Sequence, residues 1–473
     1  MTAQKFCKTK IVATIGPSSW DKDILNSMIS AGMDLARVNT SFADHEELKE
    51  VKETIRSISP RVSLILDTMG NKIRAAGFTN PIVVKKDDTL VLIPPDKEIS
   101  QENEIQITYD TLYKDISRGA SILIDDGGLQ LTVTDINEDK IICTVINDFT
   151  INPQKTVNIP NQELSFPDLT DKDIEDIKSA VDLEYDFIAL SFVQNKSVVE
   201  KAKEIIGDSE INIISKIENQ TGLDNFDEIL ETSDAIMIAR GDLGVEVPFE
   251  KIPIIQKQLV YRCRSVGKPC IIATQMLDSM KNNPNPTRAE VSDVANSIID
   301  GTDAVMLSAE TSIGKYPIDS IRVMNDIALS TEDTLIPQMV YGNTDATRDT
   351  DELCKSLSNL TNSIDIKAVL VLSETGKTVR SLSRHRLIIP IFEVTNSIKR
   401  IRIDNLLRGV KTYYTQKLPE DRDESIQRAV EIIFSYGELD FNDKIAIISG
   451  SSIKNKENNS ILEITTVKDL IKN

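Results

Sequence analysis

Histidine is almost missing from this chain: its 473 residues hold two, His45 and His385, beside a single tryptophan. So few imidazoles argue against a His-ligated metal centre or a His-based triad, and leave carboxylates, Lys, Arg, Ser and Thr to carry any chemistry. Cysteine is scarce too. Cys7, Cys143, Cys263, Cys270 and Cys354 form no CxxC, and all but Cys7 fall in apolar or helical patterns. Buried reduced thiols and a cytoplasmic setting are expected, not a disulfide framework. No apolar run approaches the ~18 residues of a membrane span, and MTAQKFCKTK lacks the apolar core of a signal peptide. Basic residues are outnumbered, 54 against 74, giving a net charge of −20. Nucleic acid and anionic membrane need a basic footprint, so neither is expected as a partner. An anionic small molecule in a locally positive pocket is not excluded.

What is present is a repeated apolar strand with a polar C-terminal end. Eight occur: Lys10–Gly16, Asp34–Thr40, Ser63–Gly70, Phe187–Val193, Asn212–Asn219, Ala235–Asp242, Pro269–Met276 and Ala304–Glu310. Near-continuous apolar runs are the mark of parallel strands covered on both faces. Amphipathic helices alternate with them at Trp20–Met33, His45–Ser59, Lys172–Tyr185, Ser197–Ile206, Gly222–Glu231, Phe249–Val266, Arg288–Ile299 and Ile318–Leu329. Eight such units predict an α/β fold, a (β/α)8 TIM barrel whose chemistry sits at the C-terminal strand ends. Between the third and fourth strands the pattern changes to short alternating strands, an all-β insert over 75–165 that suits a lid. From 334 a third pattern, strands at Ala368–Leu372, Ile389–Val394, Lys411–Thr415, Ile445–Ser449 and Ile461–Thr465 with helices between most of them, predicts a C-terminal α/β domain. Thr334–Asp351 reads as a linker. The division expected is therefore 1–74 and 166–333 for the barrel, 75–165 for the lid and 334–473 for the last domain.

The motifs lie at strand ends. In Ser215–Asn219, strand alternation puts Lys216 and Glu218 on one face, pointing into one cavity, with a structural ion pair as the alternative. In Ala239–Gly244 (ARGDLG), Gly241 and Gly244 let backbone N–H groups approach an anion. Asp242 and Glu218 end neighbouring strands and make a hard-oxygen site for Mg²⁺ or Mn²⁺. Arg37, Asn39 and Ser41 share a face, and Arg37 suits a phosphate fork. Thr274, Ser308 and Glu310 sit at two further ends, where hydroxyls beside a carboxylate can relay a proton. Asp125–Gly128 reads as a hairpin turn, and Thr287 with Glu290 as a capping box. In Leu372–Thr378, the group Ser373, Thr375, Gly376, Lys377 and Thr378 opens a helix and suits a phosphate, with ordinary capping as the alternative.

Taken in order, TKIVATIGPSS, ARVNTS, LDTMGNKIR, ISKIENQTG, MIARGDLGVE, ATQML, NPTRAEVSDVAN and DGTDAVMLSAET resemble the pyruvate kinase family over nearly the whole chain. The resemblance implies phosphoryl transfer from phosphoenolpyruvate to ADP, giving pyruvate and ATP, with Mg²⁺ or Mn²⁺. It implies a homotetramer and a sugar-phosphate or AMP effector at Ser373–Thr378. By the same resemblance Glu218 and Asp242 match the Mg²⁺ ligands, and Lys216 matches the lysine that stabilises phosphoryl and enolate. The backbone around Ala239, Arg240, Gly241 and Asp242 matches the substrate-carboxylate cradle. Arg37 matches the arginine at the phosphoryl group, Arg37 and Arg74 the nucleotide contacts, and Thr274 the threonine near the methylene carbon. Ser308 and Glu310 match a proton path, and Asn39, Ser41, Asp67 and Thr68 the monovalent-cation ligands.

The chain also departs from the pattern. The family's usual NFSHG is Asn39-Thr40-Ser41-Phe42-Ala43 here, with Phe42 in the histidine's place near the nucleotide. Met69 and Asn71 replace a lysine and a proline, and Ser449–Asn459 lacks the usual tryptophan. Lys72 stands where many members carry Glu and need K⁺. A tethered ammonium supplies the same charge, so the resemblance implies K⁺ is not required. Two other readings stay open at this point: a metal-dependent pyruvate-enolate aldolase or lyase, and a non-catalytic metabolite-binding homologue.

Overall fold

The computed structural model describes residues 6–162, 164–335, 340, 342, 344, 346, 348–450 and 459–471. Strands Lys10–Thr14, Leu35–Asn39, Ser63–Asp67, Phe187–Leu190, Asn212–Ile217, Ala235–Ala239, Cys270–Ala273 and Ala304–Leu307 close into a barrel. Each pairs in parallel with the next, and the eighth with the first. These are the eight expected strands, all shorter at the polar end. The tails leave the ladder because their backbone turns: Gly70, Phe192, Thr274 and Gln275 have positive φ, and a helix already starts at Arg240.

Alternation along each strand sorts the barrel into two cores. Val12, Leu35, Ile65, Ile214, Met237, Ile271 and Met306 face inward and fill the lumen. Ile11, Ala36, Leu64, Ile213, Ile238 and Val305 face outward against the helices. Burial of each Val, Leu, Ile or Met side chain among them stabilises by about 1.5–3 kcal/mol. One step beyond the apolar lumen layer, the inward positions become Arg37, Asp67 and Lys216, so the same alternation that packs the barrel delivers its polar end.

Three helices differ from expectation. Gly222–Glu231 is broken at Asn225 into Gln220–Asp224 and Phe226–Thr232. Phe249–Val266 begins as a 3₁₀ turn, Phe249–Lys251, before Ile252–Ser265, whose Pro253 suits a first turn. A helix, Arg348–Leu360, starts inside the stretch read as a linker. The capping box at Thr287 and Glu290 is present.

The insert forms a seven-stranded sheet and a two-stranded ribbon around its own core. Asp125, Asp126 and Gly127 take positive φ in the turn between Ser121–Ile124 and Leu129–Asn137, the expected hairpin. Its two connections to the barrel pair with each other: Ala75 N–H donates to Lys155 O (2.8 Å) and Val157 N–H to Ile73 O (2.9 Å).

The C-terminal sheet runs Val410–Tyr414, Ile391–Thr395, Ala368–Leu372, Lys444–Gly450, Asn459–Thr466, parallel except for the last strand. Ile403 and Leu406 from this domain reach into the lumen core and seal the barrel floor. Lys10 Nζ donates to Val410 O at 2.8 Å, and Arg386 pairs with Asp303 at 2.7 Å. Most of Ser449–Asn459 lies outside the described residues. Among the described residues no helix is long and apolar enough to cross a membrane, and all five cysteines are free.

Candidate active site

Asp67, at the end of the third strand, is the centre of the site. Arg37 Nε donates to its Oδ2 at 2.6 Å and Lys216 Nζ to its Oδ1 at 3.0 Å. Thr14 Oγ1 holds the other side of the guanidinium, accepting from an Arg37 Nη at 2.9 Å. Burial alone would raise the Asp67 carboxyl, but Arg37 and Lys216 together hold it below its ordinary value. Burial would lower Lys216; Asp67 and Glu218 outweigh it and keep the ammonium charged above the usual lysine range. Asp67, which the resemblance assigns to a monovalent cation, thus has both carboxylate oxygens engaged by side-chain cations. Of its proposed companions, Asn39 Oδ1 accepts from Ser41 N–H (2.9 Å) and Thr68 Oγ1 from Ser191 N–H (3.2 Å).

Glu218 is 1% exposed and lies 3.1 Å from Lys216 Nζ. Its carboxyl is raised, first by burial and then by the charges of Asp242 and Asp67, against the pull of Lys216. A cation between the two would relieve the repulsion from Asp242, and their oxygens are the hard donors that Mg²⁺ or Mn²⁺ prefers. Among the described residues no group of three or more His, Cys, Asp or Glu is disposed to hold a metal; a divalent ion on this pair would need substrate oxygens to complete its shell. Lys72 turns inward: its Nζ is 3.2 Å from Asp242 Oδ1 and sits 5.8 Å from the centre of the Phe192 ring.

These groups line a cavity of about 130 Å³ together with Asn39, Ser41, Phe42, Thr68, Arg74, Ala239 and Thr274. Phe42 is 82% exposed at its edge. A wider cleft of about 1040 Å³ continues between the insert and the barrel, past Arg74, Asp126, Lys155, Gly241 and Gly244. Arg74 donates to Gln154 O at 2.9 Å.

Other expected residues lie elsewhere. The Arg240 side chain points away into a clamp, 2.7 Å from Asp293 and donating to Thr274 O (2.9 Å) and Gln275 O (3.1 Å). Only its backbone is available to a ligand. Thr274, at φ +69°, accepts from Gly241 N–H at 2.7 Å. Ser308 and Glu310 do not line the cavity. Glu310 accepts from Leu277 N–H (3.1 Å) and Ser308 N–H (2.8 Å), tying together the loops after the seventh and eighth strands. In the C-terminal domain, Ser373 Oγ accepts from Gly376 N–H (2.8 Å), closing the turn before the helix Lys377–Ser383. Thr375 O accepts from Arg400 at 2.7 Å.

Sequence reading missed Ser191, Phe192 and Lys155. The first two continue an apolar strand and look like core. Lys155 sits in a polar stretch of the insert, where only the folded lid brings it to the cleft.

Residues 6–321 match the family described as "Pyruvate kinase, barrel domain", and residues 351–465 "Pyruvate kinase, alpha/beta domain". The chain is 39% identical to the pyruvate kinase of Bacillus licheniformis, covering 98% of this chain and 81% of that protein. It is 39% identical to that of Borreliella burgdorferi, covering 98% of both. It superposes on the crystal structure of a pyruvate kinase from Cryptosporidium parvum with a TM-score of 0.90 at 34% identity, over 98% of this chain and 96% of that one. Neither an aldolase nor a non-catalytic reading is favoured by matches that run through barrel and C-terminal domain alike. A buried Arg–Asp–Lys cluster beside two carboxylates, on a chain so alike from end to end, leaves one conclusion: it belongs to the pyruvate kinase family and is a phosphotransferase acting between phosphoenolpyruvate and ADP.

Proposed function

We propose that Lys216 and Arg37, held together by Asp67, stabilise the phosphoryl group in flight. The carrying observation is the cavity's charge. Four cations (Arg37, Lys72, Arg74, Lys216) face three carboxylates (Asp67, Glu218, Asp242), a balance of +1 that one divalent ion raises to +3. Phosphoenolpyruvate carries up to three negative charges. Phosphoryl transfer asks a protein for positioning and charge neutralisation rather than a covalent partner, so a histidine-poor chain is equal to it.

Glu218 and Asp242 would hold Mg²⁺ or Mn²⁺, which when bound supplies Lewis-acid stabilisation of phosphoryl oxygens. Arg37 presents planar donors to the phosphoryl oxygens. Lys216, kept charged by its carboxylate neighbours, opposes the charge that develops on the enolate oxygen. The substrate carboxylate lies against the backbone of Ala239–Asp242, where a bound carboxylate would compete with Thr274 Oγ1 for the Gly241 N–H. Thr274 Oγ faces the methylene carbon, which takes the proton as pyruvate forms. Ser308 and Glu310 serve this step by fixing the loops around Thr274, since Glu310 has both oxygens in use. ADP occupies the wider cleft, bounded by Arg74 and Lys155. Phe42 offers a face for stacking where the family has a histidine. K⁺ is not required, because Lys72 reaches Asp242 from within the site. The insert 75–165 closes as a lid, Ser373–Thr378 takes a sugar phosphate or AMP, and a homotetramer in the cytoplasm is the working form.

The test is an assay coupling pyruvate formation to a reporter, with phosphoenolpyruvate, ADP and Mg²⁺. Lys216→Met should cut turnover by about 10³-fold or more with an unchanged circular dichroism spectrum. Near-normal turnover would remove Lys216 from this role.

A further inference from the structure

Immediately after the fourth barrel strand, Phe187–Leu190, two residues touch three charged groups of the site. Ser191 Oγ accepts from Lys216 Nζ at 2.6 Å and donates to Thr68 O at 2.6 Å. Phe192 N–H donates to Glu218 Oε2 at 2.8 Å. The Phe192 ring lies under the Lys72 ammonium, 5.8 Å from it. We infer that the Ser191–Phe192 dipeptide positions Lys216, Glu218 and Lys72 for phosphoryl transfer, with Ser191 acting through Lys216. The inference rests on the role of Lys216 proposed above.

The geometry is costly to build, and its cost has a use. Phe192 sits at φ +53°, the left-handed region that a bulky side chain avoids. An extended residue there would swing the ring away from the Lys72 ammonium, while the preceding peptide plane sets the N–H that meets Glu218. Gly70, at φ +68°, makes room: a Cβ on it would stand 2.8 Å from Ser191 Cβ and 3.0 Å from Ser191 O. The loops after the third and fourth strands therefore pack backbone to backbone, and that approach brings Thr68 O to the hydroxyl.

Lys216 has three N–H donors and three partners: Asp67 at 3.0 Å, Glu218 at 3.1 Å and Ser191 at 2.6 Å. Ser191 is the neutral one and the closest. A neutral acceptor fixes the direction of the ammonium without cancelling its charge, which a third carboxylate would do. The Ser191 proton goes to Thr68 O at 2.6 Å rather than to the more distant Asp67 Oδ1 at 3.4 Å, so a lone pair is what it presents to the lysine. Phe192 does the same for Glu218, pinning one oxygen with a neutral backbone donor while the other faces Lys216. Its ring offers Lys72 a π face, again without a formal charge. Three charges are thus oriented by groups that leave the net charge of the cavity untouched.

Ser191→Ala tests this. Turnover should fall about 10- to 100-fold, the scale seen when a partner that orients an active-site group is removed. The KM for phosphoenolpyruvate and the Mn²⁺ affinity by electron paramagnetic resonance should change less than about threefold, since Arg37, Glu218 and Asp242 are intact. In a Lys216→Arg background the same substitution should have little further effect, because a residue that acts through Lys216 has nothing left to position. Ser191→Cys keeps the shape with a poorer acceptor and should fall between; it carries the test if the alanine variant does not fold. Wild-type turnover in both Ser191 variants, with Lys216→Met inactive, overturns the inference and leaves the proposed function standing. So does a loss that is fully additive with Lys216→Arg. An active Lys216→Met instead overturns the reading on which both rest.

Discussion

The proposed independence of K⁺ rests on the sign of one side chain, Lys72. Lys72 Nζ is 3.2 Å from Asp242 and 26% exposed, so it is a resident of the site rather than a surface lysine. Placing K⁺ about 4 Å from this ammonium would cost ~4 kcal/mol at an effective dielectric of ~20. Asp67, Asn39 and Thr68 are meanwhile engaged with protein partners. Activity in Tris free of K⁺, Na⁺ and NH₄⁺, at matched ionic strength, should equal activity with K⁺ added. A many-fold activation refutes this. Lys72→Glu should create a K⁺ requirement from the other side. Which residues were legible at this scale follows from period. Lys216 and Glu218 announce themselves because two charged residues at i and i+2 are conspicuous in an apolar strand. Ser191 and Phe192 do not, because a serine and a phenylalanine there look like core. Arg240 was legible as part of a motif and misleading as a side chain: its backbone starts a helix at the cavity while its guanidinium serves Asp293 and the Thr274–Gln275 carbonyls.

Elements were easier to read than their ends. All eight barrel strands and the main strands of the insert follow from runs of four or more apolar or alternating residues. Ala75–Ala76 and Val157–Asn158 do not, since two residues have no period. Those two short strands join the insert to the barrel. Around them Arg74 bridges to Thr156, Asn71 Nδ2 donates to Pro167 O at 2.8 Å, and Asn158 Nδ2 donates to Glu246 Oε1 at 2.9 Å. Among the described residues these hydrogen bonds link the insert to the barrel rim, and the proposed lid would turn about this two-stranded joint. Hydrogen exchange should therefore slow at 73–76 and 154–158 when phosphoenolpyruvate and Mg²⁺ are added together, and less with either alone. Identical exchange with and without ligand would show that the insert does not close.

Across the whole molecule, the barrel floor and the C-terminal domain meet in a seam rich in arginine. Arg386 pairs with Asp303, Arg408 lies 3.6 Å from Glu332, and Arg264 and Arg384 are buried beside them. His385 is enclosed in this seam, wholly buried, and neither ring nitrogen has a hydrogen-bond partner among the described residues. Burial, then the charges of Arg384, Arg264, Lys355 and Arg386, push its pKa down to about 3. The sign of the consequence is fixed. The unfolded chain takes up the proton near the ordinary value of about 6.5, whereas the folded chain refuses it until about 3. The stability associated with a neutral His385 is complete above the unfolded value and is lost as pH falls between the two, by up to about 1.4 kcal/mol per unit. His385→Leu removes the titration and two unsatisfied nitrogens while keeping an apolar side chain of similar bulk. At pH 7.5 its thermal midpoint should match or exceed that of the wild type, because a buried polar atom without a partner contributes nothing to offset its desolvation. Between pH 6.5 and 4.5 its midpoint should fall less steeply than the wild type's, all other carboxylates and amines being common to both. Parallel pH profiles would mean that the folded seam takes up the proton as readily as the unfolded chain does. The outcome also reports on assembly of the two domains, since a seam that opened in solution would give His385 back its ordinary affinity for a proton.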